Sequence, residues 1–352
     1  MGFIERARRA ILRLMSTSAR ASGSSDRPHA RASRGSFAAG CLLTLAGLAG
    51  LACEPGRPSQ PGTRSPVTAK PPAEVHGVDI VPLTFIDHFA VVPVRINGTI
   101  DTRMVLDTGI GVTVLSAALC QRVGCTRSGE YTGERMSGQR ITIPLARLKA
   151  LSLARRQVED LQIGIIDNAA LLPEGIDGIL SLGFFAAMPF TLDYQAGVLV
   201  LEDTASLARR EAAGAVVPLS IERDAASVTA FMSRSVPEGP PVKIEIDSGS
   251  DSLILDERFM SRLGVDAGDA AVKRIQGTDE TGHAYARTFA TITGSIAPAA
   301  APQMKQEGPR VMFQRIIHDG LIGRAFLQGF AVTFDLPRAR LILAPATAGA
   351  CG

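Results

Sequence analysis

The chain repeats itself, and no other feature narrows its possible folds as much. Met104-Val-Leu-Asp107-Thr-Gly-Ile-Gly-Val-Thr-Val-Leu-Ser116 matches Ile244-Glu-Ile-Asp247-Ser-Gly-Ser-Asp-Ser-Leu-Ile-Leu-Asp256. Each copy reads as an apolar strand, Asp-Thr/Ser-Gly, a second apolar strand and a short helix. The helices, predicted over 116–123 and 256–263, both run into a glycine of the C-cap type, Gly124 and Gly264. Farther on, Ile176-Asp-Gly-Ile-Leu-Ser-Leu-Gly-Phe-Phe185 matches His318-Asp-Gly-Leu-Ile-Gly-Arg-Ala-Phe-Leu327. Each continues into a strand–turn–strand, at 190–201 and 331–343. Asp107 to Asp177 spans 70 residues and Asp247 to Asp319 spans 72. Two landmarks at nearly constant separation mark a duplicated unit.

The pattern around the repeats is one of short strands. Val78–Phe85 and Phe89–Ile96 are apolar runs separated by a tight turn, and Asn97-Gly98 marks a hairpin leading into Thr102–Leu106. Gly, Asp and Pro break the chain throughout, and helical periodicity is brief. An all-β protein is expected, with a first lobe over 77–204, a second over 205–345 and a tail at 346–352.

Residues 1–53 differ in kind. Residues 1–52 hold eight Arg against Glu5 and Asp26, a charge of +6 that leaves about −3 for the other 300 residues. The overall +3 therefore belongs to the N-terminus, and a nucleic-acid partner is not indicated. Phe37–Ala52, a run of 16 apolar or small residues, is short for a membrane span and right for the apolar part of an export signal. Met15 is an alternative start. The run ends at Gly50-Leu51-Ala52-Cys53, which resembles a bacterial lipoprotein cleavage site with Cys53 lipidated, although Gly50 stands where such sites carry Leu. Ordinary signal-peptidase cleavage is the other reading. Residues 54–76, rich in Pro and polar side chains, read as a tether. The expected location is the bacterial cell envelope, with membrane contact through a lipid anchor if Cys53 is modified.

Cys41 lies in the leader and Cys351 has no evident partner, whereas Cys120 and Cys125 could close a small disulfide loop. A CxxC pair is absent, and His29, His76, His88, His283 and His318 never cluster at ligand spacing, so no metal or other cofactor is expected. GxSxG and P-loop patterns are absent too. Asp247-Ser-Gly-Ser-Asp251 resembles the start of a calcium loop but lacks the closing Glu. Asp177 and Asp319 read as turn formers before a Gly, and His283 and His318 as ordinary polar residues.

An Asp between apolar strands is costly to bury unless it is hydrogen-bonded or paired. The neighbouring Thr or Ser hydroxyl offers a partner, and Gly permits the tight turn. If the two halves face each other, Asp107 and Asp247 meet, and two carboxyls in contact cannot both ionise. The ionised one can deprotonate a water while the protonated one polarises a carbonyl, which is acid–base hydrolysis of an amide.

These paired motifs, each followed by an apolar-Gly element, resemble the aspartic peptidases. The single-chain duplication looks like the two-lobed pepsin-like enzymes. The short lobes of about 130 residues and the Asp-Gly-Ile/Leu-Leu/Ile form look more like bacterial members of the retropepsin-like group. The resemblance covers residues 78–345. It implies a two-lobed pepsin-like fold with a cleft between the lobes, a peptide or protein substrate, and a monomer, because both halves share one chain. It implies that Asp107 and Asp247 are catalytic, that Thr108 and Ser248 lock the two loops together across the lobes, and that Gly109 and Gly249 shape the turns, with Ser250 supporting the second. The segments 178–181 and 320–323 would pack behind them. The Cys120–Cys125 pair resembles the small disulfide loop that pepsin-like enzymes carry after their first motif. Tyr131–Arg140 and Arg274–Tyr285 are each either a flap over the substrate or a plain surface hairpin.

The first copy departs from the family pattern at Ile110, where Ser, Thr or Ala is usual, and at Ser181, where the second copy has Gly323. The Ile110 side chain cannot donate a hydrogen bond to Asp107, so the dyad is expected to titrate high and to work nearer neutral pH. The same two departures motivate a second reading, a catalytically inactive relative that binds peptides.

Overall fold

The computed structural model describes Ala38–Ala39 and residues 78–167, 171–224, 226–279 and 282–346. Apart from Ala38–Ala39, the export leader with Cys53 lies outside the described residues, as do the tether up to residue 77, the tail after Ala346 and Cys351.

Each copy of the repeat folds around a strand whose side chains alternate between two faces. In Ile100–Leu106, Met104 and Leu106 enter the main core while Val105 belongs to a separate apolar cluster. In Val242–Ile246, Val242, Ile244 and Ile246 enter the core, which leaves Lys243 and Glu245 on the other face. The second landmark of each copy slots in beside this strand. Gly178–Leu180 runs parallel to it, with Gly178 opposite Met104, and antiparallel to Val114–Ser116. Gly320–Ile322 does the same between Val242–Ile246 and Leu253–Asp256. Asp177 and Asp319 close these junctions: Ser116 donates its amide to Asp177 O at 2.8 Å, and Asp256 to Asp319 O at 2.9 Å.

The strand–turn–strand ends of the two copies meet in a six-stranded sheet. Its order is Ala215–Pro218, Arg340–Pro345, Phe330–Asp335, Phe190–Asp193, Val198–Leu201, Asp79–Pro82. At its centre, Phe190 stacks on Phe334 with ring centroids 4.9 Å apart, and the hydroxyls of Thr191 and Thr333 are 2.6 Å apart. Thr191 and Thr333, at matching positions of the repeat, thus touch each other, as a pseudo-two-fold axis requires. The fold is all-β and two-lobed, of the pepsin-like kind.

Helix Ala117–Val123 starts at Ser116, whose hydroxyl accepts from Leu119 N, and ends at Gly124 in the left-handed region, φ 71°. Cys120 and Cys125 are joined in a disulfide across that end, with Cα atoms 5.2 Å apart. In the second copy, the helix expected over 256–263 forms as two 3₁₀ turns instead, Glu257–Phe259 and Ser261–Leu263. Asp256 contributes to this by dividing its carboxylate between Arg258 N at 3.1 Å and Ile316 N at 2.9 Å, which ties the first turn to a neighbouring segment. A helix over Thr204–Ala213 was not expected. It rests on a capping box in which Asp203 and Ser206 each accept from the other's amide.

Candidate active site

Both Asp-Thr/Ser-Gly loops lie at the junction of the lobes, and each ties the other down. Thr108 Oγ1 donates to Ile246 O at 2.7 Å and accepts from Ser248 N at 2.9 Å. Ser248 Oγ reciprocates, donating to Leu106 O at 3.0 Å and accepting from Thr108 N at 3.0 Å. Four buried hydrogen bonds between residues about 140 apart in sequence therefore hold the loops in register. Above them, each aspartate accepts from the glycine two residues on, Gly109 N to Asp107 Oδ1 and Gly249 N to Asp247 Oδ1, both at 2.8 Å.

The glycines also set how near the carboxyls come. A Cβ on Gly109 would stand 2.6 Å from Asp247 Cγ, and one on Gly249 would collide in the same way with Asp107 Oδ2. Only hydrogen at these positions lets each backbone approach the opposite carboxyl. Asp107 is 3% exposed and Asp247 fully buried. Burial pushes Asp107 up to about 6, against the amides of Gly109 and Ile110 and the hydrogen bond to Asp247, which pull it down. Asp247 is raised well above the usual carboxylate range, by burial first and then by the charges of Asp107 and Glu245. Both members of the pair are thus pushed toward their protonated forms by burial, Asp247 the more strongly.

The departures of the first lobe prove structurally mild. Ile110 is buried in an apolar cluster with Phe89, Val91, Val112 and Ile179, while its amide still faces Asp107. In the second lobe the Ser250 hydroxyl turns to Ser252 rather than to Asp247. The expected contrast between Ile110 and Ser250 is therefore not expressed at the dyad, and burial is what raises Asp107. Ser181 likewise has a place: its hydroxyl meets Thr113 Oγ1 at 3.1 Å and accepts from Gly183 N at 3.2 Å. Gly323 stands where a side chain would run into Ser250 O.

Both candidate flap segments are hairpin tips. The first joins Thr126–Arg135 to Arg140–Leu153, and the second joins Lys273–Thr278 to Ala284–Thr291. They meet through an ion pair, Arg135 Nη1 to Asp279 Oδ2 at 2.8 Å, with side chains only 6% and 9% exposed. Beside it, Met136 at the tip of the first hairpin is buried against Ile254, Met312, Ile316 and Leu321 of the second lobe, and Ile317 N donates to Met136 O at 3.0 Å. A cavity of about 640 Å³ lies between Ser137 and Gly138 of this tip and Tyr285, Gln314 and Ile317, with no dyad residue in its lining.

Three further residues near the dyad escape a motif-by-motif reading. His88 Nε2 lies 3.0 Å from Gly249 O, joining the turn before Phe89–Ile96 to the second-lobe Asp-Ser-Gly loop. Glu245 is 1% exposed, two residues before Asp247 on the same face of its strand. His318 is not an ordinary surface residue, being packed edge-on to Phe231 at 4.9 Å, and burial lowers its pKa. Setting the two repeats in register supplies the signal for Glu245, because its counterpart is the apolar Val105.

Residues 92–184, which hold Asp107, its loop and the second landmark of the first copy, match the family model described as aspartyl protease. The sequence matches no curated protein. Among solved structures, the aspartic proteinase from Irpex lacteus is 14% identical with a TM-score of 0.48, over 78% of this chain and 99% of that one. Basic 7S globulin from soybean is 12% identical with a TM-score of 0.45, over 78% and 96% of the two chains. Conglutin gamma from lupine seeds is 11% identical with a TM-score of 0.46, over 76% and 95%.

Proposed function

We propose that this chain, an aspartic-peptidase-like protein of two lobes, is an endopeptidase that hydrolyses peptide bonds with a water activated by Asp107 and Asp247. One observation carries the reading: two buried aspartates stand on equivalent loops of a duplicated unit, each with the glycine of the opposite loop against its carboxyl, an arrangement that favours sharing one proton. Ionised Asp107 takes a proton from the water as its oxygen attacks the carbonyl carbon. Protonated Asp247 donates to the carbonyl oxygen and leaves a neutral diol. When the diol collapses, Asp107 passes its proton to the departing nitrogen and Asp247 recovers one from a hydroxyl. The four cross-lobe bonds beneath the dyad supply the rigidity this geometry needs.

The test sets the full chain against a mixed peptide library beside Asp107→Asn and Asp247→Asn. Cleavage abolished by either change is expected, and activity that survives Asp107→Asn refutes the shared dyad. A second reading, an inactive peptide-binding protein, is favoured by the packing of Met136 into the second lobe, which closes the first hairpin down. In that case peptides bind and none is cut. We propose also that the chain is exported and held at the envelope through a lipidated Cys53, on the strength of the leader sequence. Cys53→Ser should release the protein from the membrane fraction, and a protein that stays there overturns the anchor.

A further inference from the structure

The sheet face that carries each aspartate is crossed by one row of four side chains, in register between the lobes. In the first lobe, strand pairing sets Val91 opposite Val105, Val105 beside Ile179, and Ile179 opposite Val114. In the second it sets Phe231 opposite Glu245, Glu245 beside Leu321, and Leu321 opposite Ile254. All four members of the first row are apolar and buried together. The second row holds one carboxyl in the position of Val105.

That carboxyl is buried and poorly partnered. Glu245 Oε1 has no hydrogen-bond partner, and Oε2 is 3.8 Å from His318 Nε2, beyond hydrogen-bond reach. Lys243, on the same strand face, is engaged with Glu222 and lies over the Phe231 ring. Burial, and then the charges of Asp107 and Glu222, push Glu245 up to about 8, so the protein itself supplies no cation that would hold it ionised. Strand alternation puts it about 7 Å along the chain from Asp247 on the same face. Its row partner Leu321 packs against Met136, so the site lies beneath the first-lobe hairpin.

We propose that Glu245 sets substrate specificity, receiving a Lys or Arg side chain next to the scissile bond on the second-lobe side. A basic side chain fits such a row at both of its parts. Its methylene stem lies along Leu321 and Phe231, and its head meets the carboxyl. The inference rests on the endopeptidase reading and deepens it by naming the substrate class.

The test uses the full chain and peptides that differ only at this position, in Lys, norleucine or Glu. Wild type is expected to cleave the Lys peptide about tenfold or more better in kcat/KM than the norleucine peptide, and the Glu peptide worst. Glu245→Gln and Glu245→Met should reduce that preference to within about threefold, with a cooperative thermal transition showing that both variants fold. An equal rate for Lys and norleucine in wild type, or a preference that survives both substitutions, overturns the assignment. If wild type cleaves nothing, the endopeptidase reading is what has failed. The ratio of Kd for the Lys and norleucine peptides, in wild type and in Glu245→Gln, then decides Glu245 by the same criterion.

Discussion

The two lobes share a plan and differ in what covers the face that carries the aspartate. In the first lobe the connection between Arg156–Ile166 and Gly178–Leu180 is eleven residues long, and Leu171, Leu172 and Ile176 from it pack over Val105, Val114 and Ile179. In the second the corresponding connection, between Arg310–Gln314 and Gly320–Ile322, has five residues. It offers Ile316, and the cover is completed by Phe289 of the second lobe and by Met136, borrowed from the first. Each lobe takes some cover from the other, but unequally: the first-lobe cluster takes only the partly buried Ala226, whereas the second-lobe cluster takes the buried Met136. A duplicated unit has thus kept its Asp-Thr/Ser-Gly loop twice while covering the two faces differently, and the tip of the first hairpin is also part of the second lobe's interior. Lifting that hairpin would expose apolar surface in the second lobe, which costs free energy.

The largest effect tests whether this asymmetry stops short of the dyad. Asp107→Asn and Asp247→Asn should each lower kcat by about 10³-fold or more, because the proton is shared by the pair. A loss confined to Asp247→Asn would make the lobes unequal in chemistry too. Next, Arg135→Met should destabilise the protein by about 3 kcal/mol in urea unfolding, since it leaves Asp279 buried at the joint between the hairpins. Met136→Ala should cost about 2–3 kcal/mol, and Ile176→Ala in the first lobe a similar amount. Only the Met136 change should also speed amide exchange through 126–140. Equal exchange in both variants would mean that the hairpin is not held by the second lobe.

A smaller effect follows from the carboxyls held above their ordinary range. Asp107 moves from 3.8 to about 6 and Glu245 from 4.5 to about 8 on folding. The folded protein therefore binds these protons more tightly than the unfolded chain. The associated stability is complete below about pH 4 and is lost as pH rises through 6 and then 8. These groups oppose the usual acid denaturation of paired carboxylates, and Tm should fall less between pH 5 and about 8 in Glu245→Gln than in wild type. A fall of the same size in both would show that Glu245 does not titrate in this window. The smallest change is expected for Ile110→Ser. The Ser250 hydroxyl faces Ser252 and not the dyad, so a serine at 110 should move the acid limb of the pH–rate profile by about 0.5 unit or less. A larger shift would restore the contrast at these two positions.

The sequence by itself determined the duplication, the strand pattern around Asp107 and Asp247, the hairpins at 131–140 and 274–285, and the helix from Ala117. These follow from alternation, turn chemistry and capping, which neighbouring residues settle among themselves. The Asp203–Ser206 capping box was legible in the same way, and helix Thr204–Ala213 was missed because its apolar stripe is weak, with only Ser206 and Leu207 buried. What only the tertiary structure decided involves residues far apart in the chain. The six-stranded sheet between the copies, Met136 in the second lobe's core, the Arg135–Asp279 pair and the turning of Ser250 to Ser252 all depend on where one lobe rests against the other. Glu245 shows the division most clearly. Its place in the repeat is written in the sequence, but its burial without a cation is a property of the packing around it. Local patterns fix which face of a strand a residue joins, and only the assembled lobes fix what that face meets.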